Sequence, residues 1–152
     1  MNIVFKDNKV VEMDDVRITH RNFAGEQTPY NRKGDRNFSV VIDDQEIADA
    51  LIDAGFNVKI KEPLNPGDDP FMFLKVNVKF NGRGPSVYLK VGDNYTQLNE
   101  DTVACLDDID IEGIDLDIRG HDWDVSGRTG RSAYLQSILV IQRIDRFAAR
   151  FV

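Results

Sequence analysis

Between residues 72 and 80 every second side chain is apolar: Met72, Leu74, Val76, Val78 and Phe80. The residues between them are Phe73, Lys75, Asn77 and Lys79, with Phe71 just before. Side chains alternate across a strand, so this spacing predicts a β-strand with one face on a core and the other in solvent. Alternation recurs at 15–21, 37–42, 56–61, 86–91, 114–118 and 133–144. Turn residues separate the runs: Gly25, Pro29, Gly34, Gly55, the segment 63–70 with three prolines, Asn81-Gly82-Arg83-Gly84-Pro85, and Gly127 to Gly130. Many short strands between such turns make a sandwich or a small barrel.

Two weaker strands, 3–5 and 9–12, are expected to form a hairpin around Asp7-Asn8. One segment, 43–54, reads as a helix with Ile47, Leu51 and Ala54 on one face, Asp43 or Asp44 as cap and Gly55 as stop. A short helical turn is expected at 101–106. The chain of 152 residues is the length of one domain, 1–152. Seven or more strands with one or two short helices give an all-β chain, with an OB-like Greek-key barrel as the leading architecture.

No apolar run approaches the roughly 20 residues that cross a bilayer. The first residues lack the basic start and apolar stretch of a signal peptide. A single cysteine, Cys105, excludes an internal disulfide framework and a cysteine-rich zinc site. These features give a cytoplasmic reading with no cofactor and no metal. Nineteen Lys and Arg against 26 Asp and Glu leave a net charge of −7. That balance does not exclude a nucleic acid, because screening over about 8 Å makes a ligand respond mainly to nearby charges.

The basic residues are unevenly placed. Across the strands 56–61, 72–80 and 86–91 the outward side chains include Lys59, Lys61, Lys75, Lys79 and Lys90 and no acid. Phe71, Phe73 and Tyr88 accompany them. A hairpin through residues 81–85 would pair Phe80 with Val87, Lys79 with Tyr88 and Asn77 with Lys90, and put Arg83 at its tip. Single-stranded nucleic acid needs this mixture, since cations hold phosphates and flat rings stack on unpaired bases. Five or six phosphate contacts would give log K a slope of about −3 to −4 against log salt. The competing reading is a lysine-solvated sheet face with a protected edge.

A second basic cluster joins Arg17, Arg21, Asn22 and Phe23 to Arg32, Lys33, Arg36, Asn37 and Phe38 across a loop with Tyr30, Asn31 and Gly34. Such a loop at a barrel mouth either clamps a nucleic-acid strand or merely solvates a turn. Phe38 falls on the core parity. Residues 119–135 mix Trp123, Tyr134, Arg128 and Arg131 with a glycine-rich turn. Trp123 there either stacks a base, with Arg128 and Arg131 on phosphates, or closes one end of the barrel. The stretch lacks the spacing of a phosphate-binding P-loop. His20 is expected to pack, and Cys105 to be a small buried hydrophobe.

The segment Ile18-Thr19-His20-Arg21-Asn22-Phe23-Ala24-Gly25, followed by Tyr30-Asn31-Arg32-Lys33-Gly34-Asp35-Arg36-Asn37-Phe38, resembles the opening of phage-encoded single-stranded DNA-binding proteins. Trp123-Asp124-Val125, Gly127, Gly130 and Ala133-Tyr134-Leu135 are similar to that family's closing strand. The resemblance implies an OB-type barrel that coats DNA during phage replication or recombination in the host cytoplasm. It would have Arg21, Asn22, Tyr30, Arg36, Trp123 and Tyr134 shaping or lining the site. Many such proteins recruit replication or recombination proteins through an acidic tail. The sequence here finishes Arg146-Phe147-Ala148-Ala149-Arg150-Phe151-Val152, an ending expected to pack on the barrel or on another subunit of a homo-oligomer.

The expected function is sequence-tolerant binding of single-stranded DNA, without catalysis. The alternative is an acidic DNA mimic that inhibits a host enzyme, drawing on the net charge and the acids between 107 and 124. A metal-dependent nuclease using Asp115, Asp117 and Asp122 is a third reading, with no hydrolase spacing to support it.

Overall fold

A computed structural model describes residues 1–6, 9–82 and 84–147. The elements are β1 (Asn2–Phe5), β2 (Val10–Asp14), β3 (Arg17–Asn22), β4 (Arg36–Ile42), α1 (Gln45–Asp53), β5 (Val58–Lys61), β6 (Phe71–Val78), β7 (Ser86–Val91), β8 (Asn94–Leu98), a 3-10 helix (Val103–Asp107), β9 (Ile111–Val125) and β10 (Arg128–Gln142).

The sheet closes on itself because β2 and β3 act as two halves of one bent strand. β2 pairs with β9 and β3 with β4. The bend falls at Asp15, whose φ of 53° lies in the left-handed region. Two bonds hold it against β9: Val16 N–H donates to the Ile114 carbonyl at 2.9 Å, and Asp15 N–H to the Asp115 carboxylate at 2.9 Å. From β4 the ring continues through β6 and β10 to β9. The parallel contact of β6 with β10 completes the OB-type barrel expected from the strand pattern.

The same contact corrects the expected hairpin. β7 does not pair with β6; both lie parallel to β10 along one flank, β6 at Ala133–Tyr134 and β7 at Ser137–Ile141. The chain leaves the sheet after Val78 and returns at Ser86 in the same direction, so β6 and β7 are one interrupted strand. The expected face assignments survive, because each segment takes its facing from β10, except at Val91, expected inward and exposed where β7 ends. Leu74, Val76, Val78, Val87 and Leu89 are buried opposite Ala133, Leu135, Ile138 and Val140.

Inside, Phe23 stacks on Phe38 with centroids 5.1 Å apart, among fully buried Met13, Leu74, Ile114 and Ile118. α1 starts as expected, with the Asp44 carboxylate accepting from Glu46 N–H at 2.8 Å, and buries Ala48 and Leu51. β1 and β2 form the expected N-terminal pair, although its turn residues Asp7 and Asn8 lie outside the described residues.

Other expectations change. β8 was not expected, since Asn94-Tyr95-Thr96-Gln97-Leu98 carries one buried apolar residue. β9 and β10 each run 15 residues rather than ending at the core, and their joined ends, 121–125 and 128–132, leave the barrel as a two-stranded arm. Trp123 rides on that arm rather than closing a barrel end. His20 is exposed, because a register shift between Thr19 and Asn22 and a φ of 52° turn it outward. Cys105 is exposed too, on the outer side of the 3-10 helix whose Val103 and Leu106 point inward.

Candidate nucleic-acid interface

Residues paired across neighbouring strands project to the same side. One row on the outside of the barrel therefore runs Lys59 (β5), Phe73 (β6), Val41 (β4) and Arg17 (β3). Lys61 lies beside Phe71, and Lys75 beside Ser39 and Thr19. A fourth row crosses five strands: Arg119, Tyr134, Asn77, Asn37 and Asn22. No carboxylate occurs in these rows. The rings touch: His20 meets Phe73 edge-on at 5.3 Å and Phe71 lies 5.4 Å from Phe73. Phe71 and Tyr88 are each 39% exposed and Phe73 is half-buried, so the rings expected outside are outside.

The β3–β4 loop and the β9–β10 arm bracket this face, the two regions that flank an OB binding surface. The loop leaves at the Val78 end of β6, where Arg36 faces Val78. Asparagines shape it: Asn22 exchanges two bonds with the backbone of Glu26, and Asn37 Nδ2 donates to Asn31 Oδ1 at 2.8 Å. Gly25 permits the loop's two ends to meet, since a Cβ there would stand 3.1 Å from the Gly34 backbone. Tyr30 is left 97% exposed on this frame.

On the arm, Trp123 pairs with Gly130 and lies across it. A Cβ at Gly130 would stand 2.4 Å from the indole, so this rotamer requires glycine. The opposite face of the arm carries a clasp. Asp122 accepts from Arg131 Nε and Lys9 Nζ, both at 2.7 Å. Hydrogen bonds from Arg131 and then Lys9 pull the Asp122 carboxyl down to about 2. Arg131 also donates Nη1 to the Ala54 carbonyl at 2.8 Å, lies over the Phe56 ring, and covers Gly120.

The expected site residues therefore separate. Lys59, Lys61, Phe73 and Lys75 share the β5–β6 face, with Lys79 just beyond its end. Tyr88 and Lys90 are not beside Lys79. Tyr88 aligns with Leu139 and Asn77 with Tyr134, five residues of β10 apart, about 16 Å at ~3.3 Å per residue. Lys90 sits 5.4 Å from the ring of exposed Tyr95. The basic aromatic surface is thus a long strip along β10, not one compact patch.

Tyr30, Trp123 and Arg128 stand on the two flanking elements, while Arg83 lies outside the described residues. Three arginines are engaged within the fold. Arg21 donates Nη1 to the Leu106 and Ile109 carbonyls at 2.8 Å each, Arg36 bonds Glu100 and overlies Phe80, and Arg131 forms the clasp. His20, Arg17, Arg119, His121 and Tyr95 also belong to the strip; the sequence placed Arg17 in the second basic cluster and expected His20 to pack, and gave none of the five to this face. Arg17 had the parity to be found; His20 was hidden by the bulge.

The acids gather on β2 and β9, where Asp115 and Asp117 lie across β10 from Tyr88 and Ser86. Glu12 faces Asp117 across β2 and β9, and Asp14 and Asp115 follow on the same face. Burial chiefly raises the Asp117 carboxyl, opposed by the Ser137 hydroxyl that donates to it, and Glu12 and Asp14 raise it further. Asp122 points to the other face of β9, so the three acids of the nuclease reading do not converge. Among the described residues no group of three or more His, Cys, Asp or Glu is placed to hold a metal.

Comparison with solved structures finds the single-stranded DNA-binding protein from bacteriophage Enc34. Its TM-score is 0.59 at 14% identity, over 98% of this chain and 94% of that one. The same protein in complex with ssDNA gives 0.57 at 13% identity, over 96% and 93%. A C-terminally truncated form gives 0.55 at 12% identity, over 95% and 92%. At such identities the likeness is one of fold. No curated protein matches the chain. Residues 2–152 match the family described as "Putative phage ssDNA-binding domain", and the chain belongs to that family.

Proposed function

We propose that the protein binds single-stranded DNA with little sequence preference, by neutralising phosphates and stacking bases along the strip beside β10. The observation that carries the site is the contiguous His20–Phe73–Phe71 ring series flanked by Lys59, Lys61 and Lys75, with no carboxylate in the facing rows. Stacking is available to every base, and lysines address only the backbone, so neither element selects a sequence. Lys79, Tyr88 and Lys90 extend the track, while Tyr30, Trp123 and Arg128 close on it from the loop and the arm. Arg21, Arg36 and Arg131 are assigned to holding those elements in place. We read the protein as a non-enzymatic coat for DNA exposed during phage replication or recombination, acting in the host cytoplasm. No described helix is long and apolar enough to cross a membrane.

The test is the double variant Lys75→Glu/Lys79→Glu in a fluorescence titration with oligo-dT over a range of salt. Each phosphate contact on a single strand contributes about 0.7 to the slope of log K against log salt. Losing two contacts should weaken binding strongly and lower the slope by about 1.4. Unchanged affinity and slope would remove the β6 face from the site.

A further inference from the structure

The interruption between β6 and β7 opens the barrel wall. β6 covers β10 at Ala133 and Tyr134, β7 resumes at Ser137, and no strand lies against that flank of β10 at Leu135 and Gln136 among the described residues. A cleft of about 640 Å³ occupies the opening, lined in part by Lys79, Ser86, Arg119, His121, Tyr134 and Gln136. That volume lies within the range, about 300–1,000 Å³, of pockets that receive small organic ligands.

Its chemistry is not that of a lysine-solvated surface. The Tyr134 ring meets His121 edge-on at 5.9 Å, giving an aromatic wall. Arg119 donates to Gln136 Oε1 at 3.1 Å, which fixes the amide and leaves its NH2 free to be offered to a ligand. Ser86 adds a hydroxyl, and Lys79 and Arg119 place two cations at the cleft. An aromatic wall, amide and hydroxyl groups and two cations in one cavity match the parts of a nucleotide: a flat base, hydrogen-bonding edges and a phosphate.

We infer that this cleft takes one base of the bound strand, turned out of the run of bases stacked along β6. The base lies against Tyr134 and His121 with its edge toward Gln136 and Ser86, and its phosphate toward Lys79 and Arg119. This rests on the proposed DNA-binding role and adds a pocket to what would otherwise be a continuous stacking surface. Asn77, which faces Tyr134 and donates Nδ2 to the Ala133 carbonyl at 3.2 Å, connects β6 to the cleft.

The test uses the full chain labelled with 15N and two ligands: oligo-dT, and an abasic oligonucleotide of equal length that keeps every phosphate. With oligo-dT, the amides of Leu135, Gln136 and Ser86 should shift along with those of β6. With the abasic strand, the cleft amides should shift much less. Tyr134→Ala should weaken oligo-dT binding roughly five-fold or more, about the loss of one stacked base. Arg119→Gln, which removes a phosphate contact, should also weaken binding and lower the salt slope by about 0.7, guarding against a folding defect at Tyr134. Movement of β6 amides with a silent cleft would overturn this inference and leave the DNA-binding role standing. Equal cleft shifts from the abasic strand would overturn it as well, making the opening a phosphate groove. If oligo-dT moves no amide anywhere, the DNA-binding role itself falls.

Discussion

Replacing Phe73 by alanine separates stacking from charge. The ring is half-buried, in edge contact with His20 and beside Phe71, and faces Lys59 across β5. Removing it deletes a stacked base, worth about 1–3 kcal/mol, so Kd for oligo-dT should rise between roughly 5-fold and 150-fold. It also deletes two ring–ring contacts at about 0.5–1.5 kcal/mol each, so a stability loss of about 1–3 kcal/mol is expected alongside. Urea unfolding measures that loss independently, and the titration is run where the variant is fully folded. The distinguishing signature is the salt slope. No phosphate contact disappears with Phe73, so log K should drop by the same amount at every salt concentration, in contrast to the lysine double variant. Phe73→Tyr should retain most of the affinity. A change below two-fold in Phe73→Ala would refute base stacking at this position. A slope that falls together with the affinity would show that the ring serves only to position lysines.

Two further outcomes concern the arm. Gly130→Ala should push the Trp123 indole off the strand, because the new Cβ would stand 2.4 Å from it. The chain contains a single Trp, so its emission should red-shift while thermal unfolding of the barrel changes little. The Asp122 clasp should respond to acid. Its carboxyl titrates near 2 in the folded protein, below the ordinary value of about 3.9, so the bonds to Arg131 and Lys9 hold the arm above pH 4 and are lost as pH falls toward 2. Protection factors against hydrogen exchange at residues 122–129, taken relative to the intrinsic rate at each pH, should fall over that window, and Asp122→Asn should show low protection at every pH.

Facing was readable from the sequence and pairing was not. Period-two alternation assigns Phe73 and Lys75 to one side and Leu74 to the other wherever β6 ends up. A loop of seven residues between two strands, however, looks the same whether the chain turns back or resumes its course. The choice here is made by β10, more than 40 residues later in the chain, which supplies a flank to both segments. The arm was missed because residues 121–129 have no core beneath them and therefore no apolar period to detect. The basic cluster near Arg21 was legible as charge, but its engagement with the Leu106 and Ile109 carbonyls depends on a 3-10 helix some 85 residues away. Cationic composition could not distinguish an arginine that holds the fold from a lysine that meets solvent.

A hairpin of β6 and β7 would make each strand's alignment hostage to the connecting turn, and one added residue would rotate Tyr88 and Lys90 inward. With β10 as a common template, each half is seated independently. Residues gained or lost between Val78 and Ser86 would alter the rim of the cleft and leave the outward rings and lysines where they are. The fold thereby separates the part of the surface that can vary in shape from the part that must keep its orientation.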